Sequence, residues 1–285
     1  MKLLLATDLS ERSDRAMKRA VRLRRSLNAE LEILHVVDEQ LPIPIARDIR
    51  ANVQEMLREQ LSALGVESSA DVKVNIVFGH AWEAIVETAN ETRPELLVLG
   101  AHRDRGIVDL FQGTTLHRVA RAVDSPVLVV TREPTAGYHD VLVATDFSAS
   151  ATTAATMAGR LASASEVTLV HAYHIPFKGF AVQSDARGDI SARDRKQIED
   201  PIKKEFEAWA NTLPVELRRA RRVLREGGPV QVLDELALTK RVDLLALGQH
   251  SRSGFVEAFL GSTARELMSN PPTDLLLTPA QPYDR

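Results

Sequence analysis

The sequence contains no cysteine among its 285 residues. Disulfide bonds, thiolate metal sites and a cysteine nucleophile are therefore excluded. Aromatic residues are scarce, at 5% of the chain, which argues against a surface on which nucleic-acid bases could stack. The 36 basic and 39 acidic residues leave a net charge of −3, so the chain as a whole lacks the basic footprint of nucleic-acid or anionic-membrane binding. We therefore expect neither nucleic acid nor a membrane as a partner.

Long apolar runs are also missing. No stretch approaches the roughly 20 apolar residues that a membrane-spanning helix needs. The first apolar run ends at Thr7 and Asp8, too early for the hydrophobic region of a secretion signal. With 44% hydrophobic and 26% charged residues, the composition is that of a soluble globular protein, and we interpret it as cytoplasmic.

What the sequence does contain is an internal repeat. Three segments of the first half return in the same order in the second half: LLATDLS (4–10) as LVATDFS (142–148), LLVLGAH (96–102) as LLALGQH (244–250), and FQGTT (111–115) as FLGST (259–263). A repeat of this length indicates two duplicated domains rather than a solenoid. The polar segment 132–140, with Pro134 and Gly137, is typical of a linker. We place the domains at 1–134 and 135–285.

Each copy alternates short apolar runs, suited to buried strands, with segments whose apolar residues recur at helical spacing. In the first copy the predicted strands are Leu3–Thr7, Leu31–Val37, Val72–Phe78, Glu95–Gly100 and Val127–Val130. Helices are predicted directly after residues 10–15, over Asp48–Leu64, over Ala81–Thr92 and starting at Gly113. This order predicts an α/β protein made of two flavodoxin-like or Rossmann-like doubly wound domains. Each is expected to be a five-stranded parallel sheet with helices on both faces.

A ligand of such a sheet binds beyond the carboxyl ends of the strands, where the strand order reverses. A helix that begins at this edge presents free N–H groups and a positive dipole end to an anion. In the second copy the residues predicted at this edge are Thr145, Asp146, Ala172, Gly248, Gly261, Ser262 and Thr263. In the first copy they are Thr7, Asp8, Val36, Gly100, Gly113, Thr114 and Thr115. A small phosphate-bearing ligand would suit this edge.

The spacing of these residues is specific. Residues 248–262 read Gly248-x-x-Ser251-x9-Gly261-Ser262, and residues 100–114 read Gly100-x-x-Arg103-x9-Gly113-Thr114. This layout resembles the ATP-binding signature of the universal stress protein family, which the two ATDxS openings also resemble. The resemblance spans nearly the whole chain, once per half, and is similar to the tandem members of that family.

The resemblance implies an adenine nucleotide as ligand, most simply ATP, with Mg²⁺ if ATP is bound. The phosphates would lie at Gly248, Ser251 and the helix start, and adenine near Asp146 and Ala172. Both copies depart from the signature at its middle glycine. Ser251 is small enough to let phosphates approach, whereas the large Arg103 could either fill the pocket or pair with phosphate. The second half is therefore predicted to be the main site.

Other roles for these residues stay open. Asp8 and Asp146 could contact ligand, or they could cap the helix that follows. His250, like His102 in the first copy, could contact ligand or hydrogen-bond its own loop. The alternative to nucleotide binding is a nucleotide-independent interaction module of the same family, which the departures at Arg103 and Ser251 favour.

Catalysis has little support in the sequence. There is no lysine-containing phosphate-loop motif and no evident general base near the predicted phosphate site, so we expect at most slow ATP hydrolysis and no dedicated catalytic residue or metal site. The fifth strands, Val127–Val130 and Leu275–Leu277, are apolar sheet edges. In the resembled family these strands pair across a two-fold axis, which implies an intramolecular pseudo-dimer here and leaves a further homodimer open.

Overall fold

The computed structural model describes residues 1–37, 43–66, 71–101, 115–162, 166–175, 192–249 and 260–279. These residues form ten strands and eight helices. The strands are β1 (Lys2–Thr7), β2 (Glu30–Val37), β3 (Val72–Phe78), β4 (Leu96–Gly100), β5 (Val127–Val130), β6 (Asp140–Ala144), β7 (Glu166–Tyr173), β8 (Arg221–Glu226), β9 (Leu244–Gly248) and β10 (Asp274–Thr278). The helices are α1 (Glu11–Leu27), α2 (Ile43–Ala63), α3 (Ala81–Thr92), α4 (Thr115–Ala122), α5 (Ala149–Leu161), α6 (Ala192–Ala210), α7 (Pro229–Thr239) and α8 (Ser262–Ser269).

All ten strands belong to one sheet, in the order β3-β2-β1-β4-β5-β10-β9-β6-β7-β8. Within each half the paired strands are parallel, and the order reverses between β1 and β4 in the first half and between β6 and β9 in the second. The halves meet where β5 and β10 pair antiparallel, with Leu276 opposite Leu128. The predicted α/β, doubly wound class is thus confirmed, and the two five-stranded sheets are continuous.

Alternating side chains give the sheet an apolar layer on each face. Leu3 and Leu5 belong to the core covered by α1, α2, α5 and α6. Leu4 points to the opposite face and belongs to the core covered by α3, α4, α7 and α8. All three leucines are fully buried. Each core runs through both halves, which makes the sheet the common centre of the structure.

The predicted element boundaries agree closely with the structure. Helix α2 begins at Ile43, earlier than the predicted Asp48, because Pro44 in its first turn needs no hydrogen-bond partner for a backbone N–H. Among the residues that the structure describes, no helix has both the length and the apolar character needed to cross a membrane.

Candidate functional site

The Thr-Asp-x-Ser segment after the first strand of the second half folds into a tight turn. The Thr145 hydroxyl accepts a hydrogen bond from the Phe147 N–H at 2.9 Å, and the Asp146 carboxylate accepts one from the Ser148 N–H at 3.1 Å. Ser148 then caps α5 by accepting from the Ala151 N–H. Phe147 has a φ of 65°, a left-handed conformation that is uncommon for a bulky residue. The turn carries the chain from β6 directly into α5 at the carboxyl edge of the sheet.

The first half repeats this turn and adds contacts between Asp8 and Ser13. Thr7 accepts from the Leu9 N–H at 3.1 Å, and Asp8 accepts from the Ser10 N–H at 3.0 Å. The Ser13 hydroxyl also donates to the Asp8 carboxylate. Burial acts to raise the pKa of Asp8, but the hydrogen bonds from Ser10 and Ser13 outweigh it and hold the pKa below its ordinary value. The Asp8 carboxylate therefore orders the turn before α1, whereas the N-cap of the helix is Ser10, which accepts from the Ser13 N–H.

A cavity of about 210 Å³ opens at the switch point of the second half. Its wall includes these predicted site residues: Thr145, Asp146, Ala172, Gly248, Gly261, Ser262 and Thr263. The rest of the wall is mainly apolar and comes from Ala144, Val170, Pro229, Leu233, Leu247 and Ala264, together with His171 and Gln249. The structure thus brings together residues that are far apart in sequence. His250 and Ser251 lie outside the described residues.

The first turn of α8 forms one end of this cavity. Gly261 is its N-cap residue, and no side chain of the described residues caps the helix. The Gly261 N–H donates to the Gln249 carbonyl at 2.7 Å, and a Cβ at Gly261 would lie 3.1 Å from that oxygen. Glycine is thus needed for this close approach. Ser262 and Thr263 follow as the first helical residues, where backbone N–H groups have no carbonyl partner within the helix.

Gly248, besides lining the cavity, packs closely against the start of the neighbouring helix. A Cβ at this position would lie 2.3 Å from the Ser150 hydroxyl oxygen. In the first half a Cβ at Gly100 would lie 3.0 Å from the Arg12 carbonyl oxygen. Both glycines therefore let the end of a strand pass close to the first turn of the neighbouring helix.

His171 joins the ends of the first two strands of the second half. Its Nδ1 lies 2.7 Å from the Thr145 carbonyl oxygen, and its ring stacks on Phe147 with centroids 4.4 Å apart. Because a carbonyl can only accept, Nδ1 carries the proton. In the first half His35 makes the same contact with the Thr7 carbonyl at 2.9 Å. Burial lowers the pKa of His35, although the contact with the Thr7 carbonyl opposes this.

The remaining predicted residues of the first half also lie at the carboxyl edge of the sheet. Thr7 ends β1, Val36 is the penultimate residue of β2, Gly100 ends β4, and Thr115 is the first residue of α4. Arg103, Gly113 and Thr114 lie outside the described residues, as does His102. Among the described residues, no group of three histidine, aspartate or glutamate side chains could hold a metal ion.

Gln249 was not among the predicted site residues, and neither were Pro229 and Leu233 from α7. One signal for Gln249 was available. It lies two positions after Leu247 and four after Leu245, both of which face the core under α7 and α8. By strand alternation Gln249 faces the same side, where the cavity lies. Pro229 and Leu233 could not be placed without knowing how α7 packs.

Known proteins resemble this chain over each half and over its full length. The universal stress protein family model matches residues 1–131 and 137–279. Universal stress protein YxiE of Bacillus subtilis is 27% identical over 144 residues, covering 45% of this chain and 97% of YxiE. Universal stress protein MJ0577 of Methanocaldococcus jannaschii is 25% identical over 158 residues, covering 46% of this chain and 95% of its own.

A solved structure extends the likeness to the whole fold. A universal stress protein from Archaeoglobus fulgidus covers 98% of both chains with a TM-score of 0.67 at 16% identity, which bears on the fold alone. The family matches fall once on each half and together span most of the residues. The chain is therefore a tandem member of the universal stress protein family.

Proposed function

We propose that the second half binds an adenine nucleotide, most simply ATP, and that the protein acts in a cytoplasmic stress response through binding rather than turnover. The observation that carries this proposal is the cavity at the switch point, whose wall combines apolar side chains with the start of α8, which no side chain of the described residues caps. A nucleotide has the matching parts, since its base is flat and largely apolar and its phosphates are anionic.

The phosphate end of the ligand is assigned to the first turn of α8. The helix dipole and the N–H groups of Ser262 and Thr263 favour an anion there. The hydroxyls of these two residues add donors at the same place. Each such contact to a phosphate is charge-assisted, with a contribution of about 1.5–3 kcal/mol.

The base end is assigned to the region beyond β6 and β7. Ala144, Val170 and Ala172 provide small apolar walls there, and Asp146 lies at the same edge. The Asp146 carboxylate accepts the Ser148 N–H, which helps to fix its position at the edge of the cavity. An exocyclic amino group is the part of adenine that such an acceptor would recognise.

Mg²⁺ would accompany ATP rather than occupy a site of its own. The described residues offer no carboxylate cluster, and Mg²⁺ commonly binds through substrate phosphates with water completing its shell. Ser262 and Thr263 supply hydroxyl oxygens at this end of the cavity.

Isothermal titration with ATP tests the proposal. Gly261→Glu places a side chain and a negative charge where the phosphate is assigned, so ATP binding should be lost. Gly137→Glu is the matched control, because a Cβ at Gly137 meets nothing within 4 Å. Gly113→Glu distinguishes the halves and should have the smaller effect.

Two results would reject the assignment. One is the absence of binding by the unaltered protein at millimolar ATP. The other is loss of binding in the Gly113→Glu variant alone. The first result would favour the nucleotide-independent interaction module, for which the altered signatures at Arg103 and Ser251 already provide a reason. The second result would instead assign the nucleotide to the first half.

A further inference from the structure

Gln249 carries a hydrogen-bond donor that has no acceptor in the part of the chain that the structure describes. The residue is 2% exposed, and its Nε2 is buried with no hydrogen-bond partner in the part of the chain that the structure describes. Buried polar side chains are nearly always paired, because desolvating a donor without replacing its hydrogen bond is costly. Gln249 is also one of the residues that line the cavity, so a ligand bound there could supply the missing acceptor after a small rotation of the side chain.

The backbone of Gln249 is held on both sides. Its N–H donates to the Thr278 carbonyl at 2.8 Å, and its carbonyl accepts the Gly261 N–H at 2.7 Å. Moving the main chain to bring the side-chain amide to another acceptor would therefore break these two hydrogen bonds. The second contact also joins Gln249 to the N-cap residue of α8, so the amide and the helix start lie at the same end of the cavity.

The direction of the side chain follows from its neighbours. The Cα–Cβ direction at Gly248 points toward Ser150, on the face covered by α5. Leu247 packs in the core of the opposite face, and Gln249 continues that alternation. Gln249 lines the cavity, as Leu247 does. Gln249 after β9 and Ser262 and Thr263 at the start of α8 thus line the same cavity.

We propose that Nε2 of Gln249 donates a hydrogen bond to a phosphate oxygen of the bound ligand and makes the second half selective for phosphate-bearing molecules. This inference rests on the proposed nucleotide site. The position that corresponds to Gln249 in the first half is Ala101, which has no side-chain donor. The two halves therefore differ in their recognition of phosphate, independently of the difference between Ser251 and Arg103.

The test uses Gln249→Met, which keeps an unbranched side chain and removes the donor. Affinity is measured by titration with ATP and, separately, with adenosine. A hydrogen bond to a charged group predicts a loss of about tenfold or more in ATP affinity. Adenosine has no phosphate, so its affinity should change by less than about twofold.

A second readout does not depend on ligand. Replacing an unpaired buried amide with an apolar group should leave the melting temperature of the free protein unchanged or raise it. Gln60→Met is the matched control, because the Gln60 amide on α2 donates to Asp14 at 3.2 Å. That variant should bind both ligands like the unaltered protein and melt at a lower temperature.

Gln249→Glu provides a second variant if the methionine protein does not fold. It keeps the shape of the side chain but presents an acceptor to phosphate, so ATP binding should be lost while adenosine binding remains.

The results of these titrations test the phosphate contact and the nucleotide site separately. Unchanged ATP affinity in Gln249→Met overturns the inference and leaves the nucleotide site standing. An equal loss for ATP and adenosine places the acceptor on the base or sugar and overturns the phosphate contact. If the unaltered protein binds neither ligand, the proposed function and the inference both fail.

Discussion

The Arg19 Nε of α1 lies 3.3 Å from the Asp274 Oδ2 of β10, and the two residues are only 5% and 1% exposed. The Nε–H is not aligned for a hydrogen bond, so this is an ion pair across the two halves. The guanidinium lies over the Tyr138 ring, 4.0 Å from its centroid, and donates to the Ala136 carbonyl at 2.9 Å. Asp274 accepts from the Tyr138 hydroxyl and the Thr131 N–H, each at 2.8 Å. Both halves and the linker thus meet at one carboxylate.

We predict that Asp274→Asn strongly destabilises the protein. The change leaves the Arg19 charge buried without its counter-ion, which typically costs about 3–5 kcal/mol. Glu133→Gln is the control. Glu133 pairs with Lys18, which lies on α1 like Arg19, but both side chains of this pair are more exposed. Its loss should cost about 0–1 kcal/mol of stability. Urea denaturation gives the free energy of unfolding of each protein. Equal losses in both variants would show that burial of the Arg19 pair has no special effect.

The raised pKa of Tyr138 should make the protein less stable at high pH. Burial, reinforced by the Asp274 charge, raises the pKa of the Tyr138 phenol well above 10.0. The folded protein therefore holds this proton more tightly than the unfolded chain, and stability falls as the pH rises above about 10. Tyr138→Phe should show a smaller fall between pH 8 and pH 11 in urea denaturation at a series of pH values. A parallel decline in both proteins would contradict the shifted pKa.

Replacing Gly248 even with alanine should lower the free energy of unfolding. In Gly248→Ala the new Cβ would lie 2.3 Å from the Ser150 hydroxyl oxygen, and overpacking of this kind costs about 1–3 kcal/mol. Ser150→Gly in the same chain should recover part of the loss, since part of the clash is with the Ser150 side chain. A double-mutant cycle measures this coupling. Gly137→Ala is the control and should be close to neutral, and a similar loss there would reject the packing argument.

Hydrogen exchange should distinguish the centre of the sheet from its edges. Strands β5 and β10 each have a neighbour on both sides, whereas β3 and β8 end the strand order. We expect slow amide exchange over Val127–Val130 and over Asp274–Thr278, and faster exchange at the β3 and β8 amides that have no strand partner. Mass spectrometry of proteolytic fragments after exchange would measure this. Fast exchange in both central strands would contradict their pairing.

Much of the fold was predictable because each segment carries its own pattern. Val72–Phe78, Ala81–Thr92 and Val127–Val130 have the predicted bounds, since apolar periodicity and nearby glycine or proline define them locally. The joining of two sheets into one could be inferred only from a resemblance. No local pattern specifies which strands pair at an edge.

The candidate site was predictable in part for a geometric reason. The carboxyl ends of parallel strands meet at one edge, so Asp146, Ala172 and Gly248 had to lie near one another. The sequence could not show that Nε2 of Gln249 has no hydrogen-bond partner among the described residues, because this depends on packing around the whole side chain. Nor could it show that Asp8 is engaged by Ser13, a contact made only after α1 has formed.

The antiparallel seam between β5 and β10 also has an evolutionary consequence. In a symmetric dimer of two identical chains with such a seam, every substitution would appear twice, once on each side of the two-fold axis. Here the positions that correspond to Arg19 and Asp274 in the repeat are Met157 and Pro126, so the ion pair forms on one side only. Fusion of two copies into one gene allows such asymmetry, and one half can diverge in binding while the other continues to cover its exposed edge.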